Sequence, residues 1–70
     1  MKTELTLGMK LKALRNSKKM TLQEVSEKSE VSIVELSQIE NDKYKPRMVT
    51  IKKLSKAFDY DFEELYDYLY

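Results

Sequence analysis

The sequence predicts an all-α fold of five short helices without a sheet, and three observations carry that reading. Loop formers are scarce, with one Gly and one Pro in 70 residues, so the chain has few places to turn except at helix ends. A Thr, Ser or Asp followed three residues later by Glu occurs at Thr21, Ser32 and Asp61. Each is a helix-start signature, in which the side-chain oxygen accepts the third backbone N–H and the glutamate reaches back to the cap amide. Between these points apolar residues recur every three or four positions, and nothing alternates with the period of a strand.

The elements follow in order. Leu7, Leu11 and Leu14 share one helical face while Lys10, Arg15 and Lys18 lie elsewhere, which predicts a first helix over about 6–18. The Thr21-Leu-Gln-Glu24 box opens a second helix at about Leu22. That helix is short, because Ser32-Ile-Val-Glu35 repeats the box and opens a third running to about Asn41. Ser29 to Val31 is then a tight turn. Pro46 is excluded from a helix interior but tolerated just before one, and Met48, Ile51, Leu54, Ala57 and Phe58 keep helical spacing after it, predicting a fourth helix over about 48–58. Asp61-Phe-Glu-Glu64 opens a last helix that runs to the C-terminus.

Length and composition narrow the function. Seventy residues are expected to form one domain, 1–70, with no separate effector domain. Cys and His are absent, which removes disulfides, thiol nucleophiles, imidazole acid–base chemistry and the usual zinc and haem ligands. The lone Gly8 excludes a glycine-rich phosphate loop. No nucleophile and base stand in a credible arrangement, so the expectation is a non-enzyme without cofactor or metal. No apolar run approaches a membrane span, and MKTELTLG lacks the hydrophobic stretch of a signal peptide, so a cytoplasmic protein without membrane contact is expected.

The net charge of +1 is a cancellation. Lys10, Lys12, Arg15, Lys18 and Lys19 make residues 10–19 a block of +5, whereas residues 20–42 sum to −5. Lys43, Lys45, Arg47, Lys52, Lys53 and Lys56 add +6, and Asp59 to Tyr70 sum to −5. Charge segregated in this way points to contacts confined to one face rather than to indiscriminate binding of a polyanion.

Two short helices joined by a brief turn, with Val25, Val31, Leu36 and Ile39 facing inward, have the pattern of a helix-turn-helix over about 22–41. Spacing alone serves an ordinary αα corner equally well. The residues from Leu7 to Leu65, however, resemble the Cro/cI-type (XRE) helix-turn-helix family of bacterial and phage transcriptional regulators. The resemblance runs through LGMKLKALRNSKK, MTLQEVSEK, VSIVELSQIEN and KPRMVTIKKLSKAFDYDFEEL and so touches every helix. It implies a five-helix lambda-repressor-like domain that binds double-stranded operator DNA as a homodimer, with the third helix in the major groove. It also implies a regulator, of the repressor kind, controlled by site occupancy or by a partner protein.

Laid on this chain, the resemblance puts base contacts at Ile33, Val34, Glu35 and Gln38. The Gln38 amide suits adenine N6 and N7, Ile33 and Val34 offer apolar contact such as to a thymine methyl, and a carboxylate such as Glu35 accepts from cytosine. As the last residue of a capping box, Glu35 already has a structural role. Phosphate contacts are implied at Thr21, Gln23, Ser32 and Ser37 and along Asn41, Lys43, Tyr44, Lys45 and Arg47, helped by the amides that open the second helix. Arg15 and Glu40 match a pair that forms a structural salt bridge. Three departures stand out: Leu22 replaces a common phosphate-binding Gln, and Glu30 and Asp42 replace favoured glycines. Glu30, Glu35 and Asp42 also bring negative charge near the docking face, which weakens affinity.

In the C-terminal DFEELYDYLY, Phe62, Tyr66, Tyr68, Leu69 and Tyr70 predict an exposed aromatic patch and hence a dimer contact. The alternative for that segment is Phe62 and Leu65 simply packing inward. The alternative for the whole chain is a helix-turn-helix fold used as a protein-interaction module of the anti-repressor kind, suggested by Ile33 and Val34 on an acidic segment.

Overall fold

A computed structural model describes residues 5–69, with Leu69 described by its backbone alone. Five helices appear in the expected order: α1 Leu7–Ser17, α2 Leu22–Ser29, α3 Ile33–Glu40, α4 Met48–Phe58 and α5 Phe62–Tyr66. No strand occurs among the described residues, and none of their helices is long and apolar enough to cross a membrane. The last helix is shorter than its capping signal suggested. It ends at Tyr66 and tightens into a 3-10 turn, Asp67–Leu69, a common way for a helix end to bring its last carbonyls into hydrogen bonds.

The helix starts follow the local chemistry with one refinement. At Thr21 the box is complete, since Glu24 N–H donates to Thr21 Oγ1 at 3.1 Å and Thr21 N–H donates to Glu24 Oε1 at 2.8 Å. At Ser32 and Asp61 only the first half forms: Glu35 N–H donates to Ser32 Oγ and Glu64 N–H to Asp61 Oδ2, each at 3.1 Å. The Glu35 and Glu64 carboxylates do not reach back. Helix α1 has a cap that the box pattern missed, because Met9 rather than Glu stands three residues after Thr6. The Met9 N–H nevertheless donates to Thr6 Oγ1 at 3.1 Å, and that half alone satisfies one of the orphan amides of a helix start.

The turns are made without glycine. Lys19, Glu30, Asp42 and Asp59 take φ of 56°, 64°, 58° and 54°, left-handed conformations that cost an L-residue about 1 kcal/mol each relative to glycine. The single glycine serves a different purpose. A Cβ on Gly8 would lie 2.3 Å from the Ile39 carbonyl oxygen and 2.7 Å from that of Glu40. Helix α1 therefore crosses the end of α3 backbone to backbone, and only a residue without a side chain fits there.

Leu7, Leu11, Val25, Val31, Leu36, Ile39, Ile51, Leu54, Phe58 and Leu65 form the core, with Leu14 and Leu22 half-buried at its edge. Helix α4 is the central element, packing on α2 on one side and α5 on the other, while α1 lies on α3. Met48, expected in the stripe of α4, is instead exposed at the first turn, where the core has already ended. With Leu36 and Ile39 locked inward, α3 turns the opposite face to solvent.

Candidate nucleic-acid interface

On α3 the outward stripe is defined by what the core does not take. Val34 is 68% exposed and Ile33 43% exposed; Gln38, one turn beyond Val34, is exposed, and Glu35 and Ser37 are half-buried. These two large apolar side chains at the start of the helix contribute little to the core and present apolar surface to solvent. The Ser32 hydroxyl oxygen, occupied by Glu35 N–H, retains its proton to donate. Glu35 is not engaged in a reciprocal capping box, contrary to the sequence reading, and its carboxylate has no hydrogen-bond partner among the described residues. It is therefore chemically freer than its spacing implied.

The start of α2 is more fully occupied than expected. Thr21 N–H and Glu24 N–H are spent within the capping box, and Val25 N–H donates to the Thr21 carbonyl. What remains for an anion is the Leu22 and Gln23 amides and the Thr21 hydroxyl proton. The Gln23 side chain is exposed and donates weakly to Glu27 at 3.4 Å. Leu22, standing where a polar contact was missed, packs on the core.

After α3 the chain turns at once: Asp42 N–H donates to the Ile39 carbonyl at 3.0 Å and Lys43 N–H to the Gln38 carbonyl at 2.8 Å. Asn41 caps its own helix, its amide donating to the Ser37 carbonyl at 2.9 Å, which leaves one amide hydrogen free. Lys43, Tyr44, Lys45 and Arg47 are all exposed while Pro46 is buried. Among the described residues no carboxylate pairs with Lys43, Lys45 or Arg47. These are unneutralised cations on a loop anchored at both ends.

Asp42 does not add loose negative charge to this loop, as the sequence suggested. Its Oδ2 accepts from the Thr6 hydroxyl at 2.6 Å and its Oδ1 from Gly8 N–H at 3.1 Å, so the carboxylate faces the positive end of the α1 dipole. Sequence reasoning missed both partners. The available signal was a glycine standing inside an otherwise regular helical stretch.

Arg15 and Glu40 meet as the resemblance implied. Arg15 Nε donates to Glu40 Oε2 at 2.7 Å, Nη2 to Oε1 at 3.2 Å, and Nη1 to the Met20 carbonyl at 3.0 Å. The paired carboxylate holds the guanidinium above its ordinary pKa, against a smaller opposing effect of burial.

The exposed aromatic patch expected at the C-terminus is absent among the described residues. Phe62, Tyr66 and Tyr68 are half-buried. The Phe62 and Tyr66 rings stack with centroids 5.5 Å apart, and Lys10 Nζ lies 4.9 Å from the Tyr60 centroid and 5.9 Å from that of Tyr68. Amphipathic lysine and tyrosine side chains wrap the tail onto α1 and satisfy surface that was counted as free. The side chains of Leu69 and Tyr70, also named for that contact, lie outside the described residues. Among the described residues, the large apolar side chains that are exposed lie elsewhere, at Leu5, Met9, Ile33, Val34, Tyr44, Met48 and Val49.

Comparison with known proteins places this geometry. A helix-turn-helix family model matches residues 11–65. An immunity repressor protein of Bacillus phage phi105 is 34% identical over 53 residues, 76% of this chain and 37% of that protein. The HTH-type transcriptional repressor RghR of Bacillus subtilis (strain 168) is 39% identical over 61 residues, 86% of this chain and 45% of that protein. The chain thus spans less than half the length of these curated relatives. With five helices, a three-residue break between α2 and α3, and the family pattern running from Leu11 to Leu65, the chain belongs to the Cro/cI-type (XRE) helix-turn-helix family.

Proposed function

We propose that residues 1–70 are a single DNA-binding domain, with its helix-turn-helix at about 22–41, acting in the cytoplasm as a transcriptional repressor. The observation that carries this reading is an exposed stripe on α3, Ile33, Val34 and Gln38, on the helix that leads into the loop of unpaired cations Lys43, Lys45 and Arg47. A helix in the major groove needs base-reading side chains on one face and phosphate partners at its flanks. The outward face of α3 supplies Ile33, Val34, Glu35 and Gln38 to bases. Thr21, Gln23, Ser32, Ser37, Asn41, Lys43, Tyr44, Lys45 and Arg47 supply donors to phosphates. Two relatives named as repressors support the direction of regulation.

Binding is to a two-fold operator by a homodimer, with half-sites about one helical turn apart. The contact between copies includes the C-terminal segment, Phe62, Tyr66, Tyr68, Leu69 and Tyr70, of which Phe62, Tyr66 and Tyr68 are half-buried within one copy. Control comes from occupancy of the site or from a regulatory protein partner.

Fluorescence anisotropy against duplexes from the chain's own genomic neighbourhood tests the reading. Specific binding is expected, with the logarithm of the affinity falling linearly with the logarithm of salt concentration. No binding to any such duplex at low salt, together with a stable complex with another protein that Val34→Glu abolishes, would overturn it.

A further inference from the structure

The junction of α1 with the loop after α3 is tied by side-chain hydrogen bonds and a close backbone approach. Asp42 reaches back 36 residues to the Thr6 hydroxyl and 34 residues to Gly8 N–H. The Thr6 oxygen in turn accepts from Met9 N–H, so the carboxylate joins the N-terminal cap of α1 to the loop. The close approach depends on Gly8, whose Cβ would collide with the Ile39 and Glu40 carbonyls and sit 2.7 Å from Asp42 Oδ1. Asp42 adopts φ of 58° to turn its carboxylate this way. Lys43, Tyr44 and Lys45 follow immediately.

We propose that Asp42 is a positioning residue for phosphate contact, clasping the loop to the start of α1 so that Lys43, Tyr44 and Lys45 are held in one place before DNA arrives. The inference rests on the DNA-binding reading above. It runs against the simplest electrostatic expectation. An acidic residue beside a polyanion weakens binding when its charge is uncompensated, and its removal then tightens binding. Here the charge faces a helix N-terminus equivalent to roughly half a positive charge, while the ordering it provides spares the complex the entropy of fixing the loop.

The experiment uses the full chain and compares wild type with Asp42→Gly and Asp42→Asn. Glycine relieves the left-handed strain at residue 42, so the fold is retained while both side-chain hydrogen bonds are lost. Asparagine keeps an acceptor oxygen. Affinity for a duplex that wild type binds is expected to fall about tenfold in Asp42→Gly, with Asp42→Asn in between. Amide hydrogen exchange in the free protein is expected to rise at Lys43, whose N–H donates to the Gln38 carbonyl, and to stay unchanged in α4. Affinity that rises or stays the same in Asp42→Gly overturns the proposal, as does exchange that rises equally throughout the chain. If wild type binds no duplex, the DNA reading fails and the positioning role with it; unchanged loop exchange in the free variant, with DNA binding intact, removes the clasp alone.

Discussion

Arg15 holds Glu40 through two parallel hydrogen bonds, 2.7 and 3.2 Å long, and uses its remaining nitrogen on the Met20 carbonyl. One guanidinium thus joins three segments: α1, the end of α3 and the turn before α2. The side chains are only 16% and 9% exposed, so the loss of one partner strands the other in a poorly hydrated place. Arg15→Met is expected to cost on the order of 3 kcal/mol, whereas Arg15→Met combined with Glu40→Leu recovers most of it. Thermal unfolding of the two single variants and the double variant checks this. Equal losses in Arg15→Met and the double variant would contradict it.

Gly8→Ala reverses the usual rule for helices. Alanine in a helix interior ordinarily stabilises by about 0.5–1 kcal/mol relative to glycine. Here the new methyl meets two backbone carbonyls at 2.3 and 2.7 Å, and neither can move without shifting the end of α3. Overpacking of this kind costs about 1–3 kcal/mol. The urea midpoint is therefore expected to fall; a rise would show that α1 and α3 are not in backbone contact.

Glu30→Gly is expected to stabilise. Residue 30 takes φ of 64° as the C-cap of α2 and its side chain is exposed, so replacement loses no packing and relieves about 1 kcal/mol of left-handed strain. Urea unfolding is expected to show a higher midpoint with an unchanged slope. No gain, or a loss, would place the glutamate in an interaction that its surroundings do not contain.

The Lys10 contact with the tail titrates at alkaline pH. Its pKa is raised above the ordinary 10.5, first by hydrogen bonding with Tyr60, then opposed by partial burial and assisted by the charges of Tyr60, Tyr68 and Glu64. A folded-state pKa above the unfolded value means that this stabilisation is fully present below about pH 10.5 and is lost as pH rises through the folded pKa. The difference in Tm between wild type and Lys10→Met is expected to be constant from pH 7 to 9 and to shrink above that threshold. A difference independent of pH to 11.5 would assign Lys10 a packing role alone.

The base contacts proposed for α3 divide by chemistry. Gln38→Ala is expected to cost about 1–3 kcal/mol at one base position and to relax the preference there. Lys45→Ala is expected to weaken all duplexes alike and to lower the salt slope by about 1. Replacing operator thymines one at a time by deoxyuridine removes only a methyl group. Wild type is expected to lose affinity at the position opposite Val34, and Val34→Ala to lose that sensitivity. Equal sensitivity in both proteins would detach Val34 from the groove.

The helices were legible because their determinants lie within four residues of one another. Thr21 and Glu24 close a reciprocal cap inside a single turn, and Leu36 and Ile39 share a face by helical geometry alone. The stripe on α3 was legible for the same reason, since the side chains that the core does not take face outward. Glu35 and the aromatic tail were misread because their roles depend on what stands opposite. No rule of spacing tells whether a glutamate reaches back to its cap, or whether Lys10 lies under Tyr60 and Tyr68.

By itself, then, the sequence determined five amphipathic segments, where each begins, and which of them carry the basic residues and the proposed base contacts. The tertiary structure alone decided that Asp42 binds α1 instead of facing a polyanion, that Gly8 serves close approach rather than a turn, and that the described tail aromatics fold inward. The Asp42 contacts alone join residues 34 and 36 positions apart. Those contacts, and the close approach at Gly8, follow only once α1 has packed on α3 around buried Leu11 and Ile39, a packing event that no local pattern encodes.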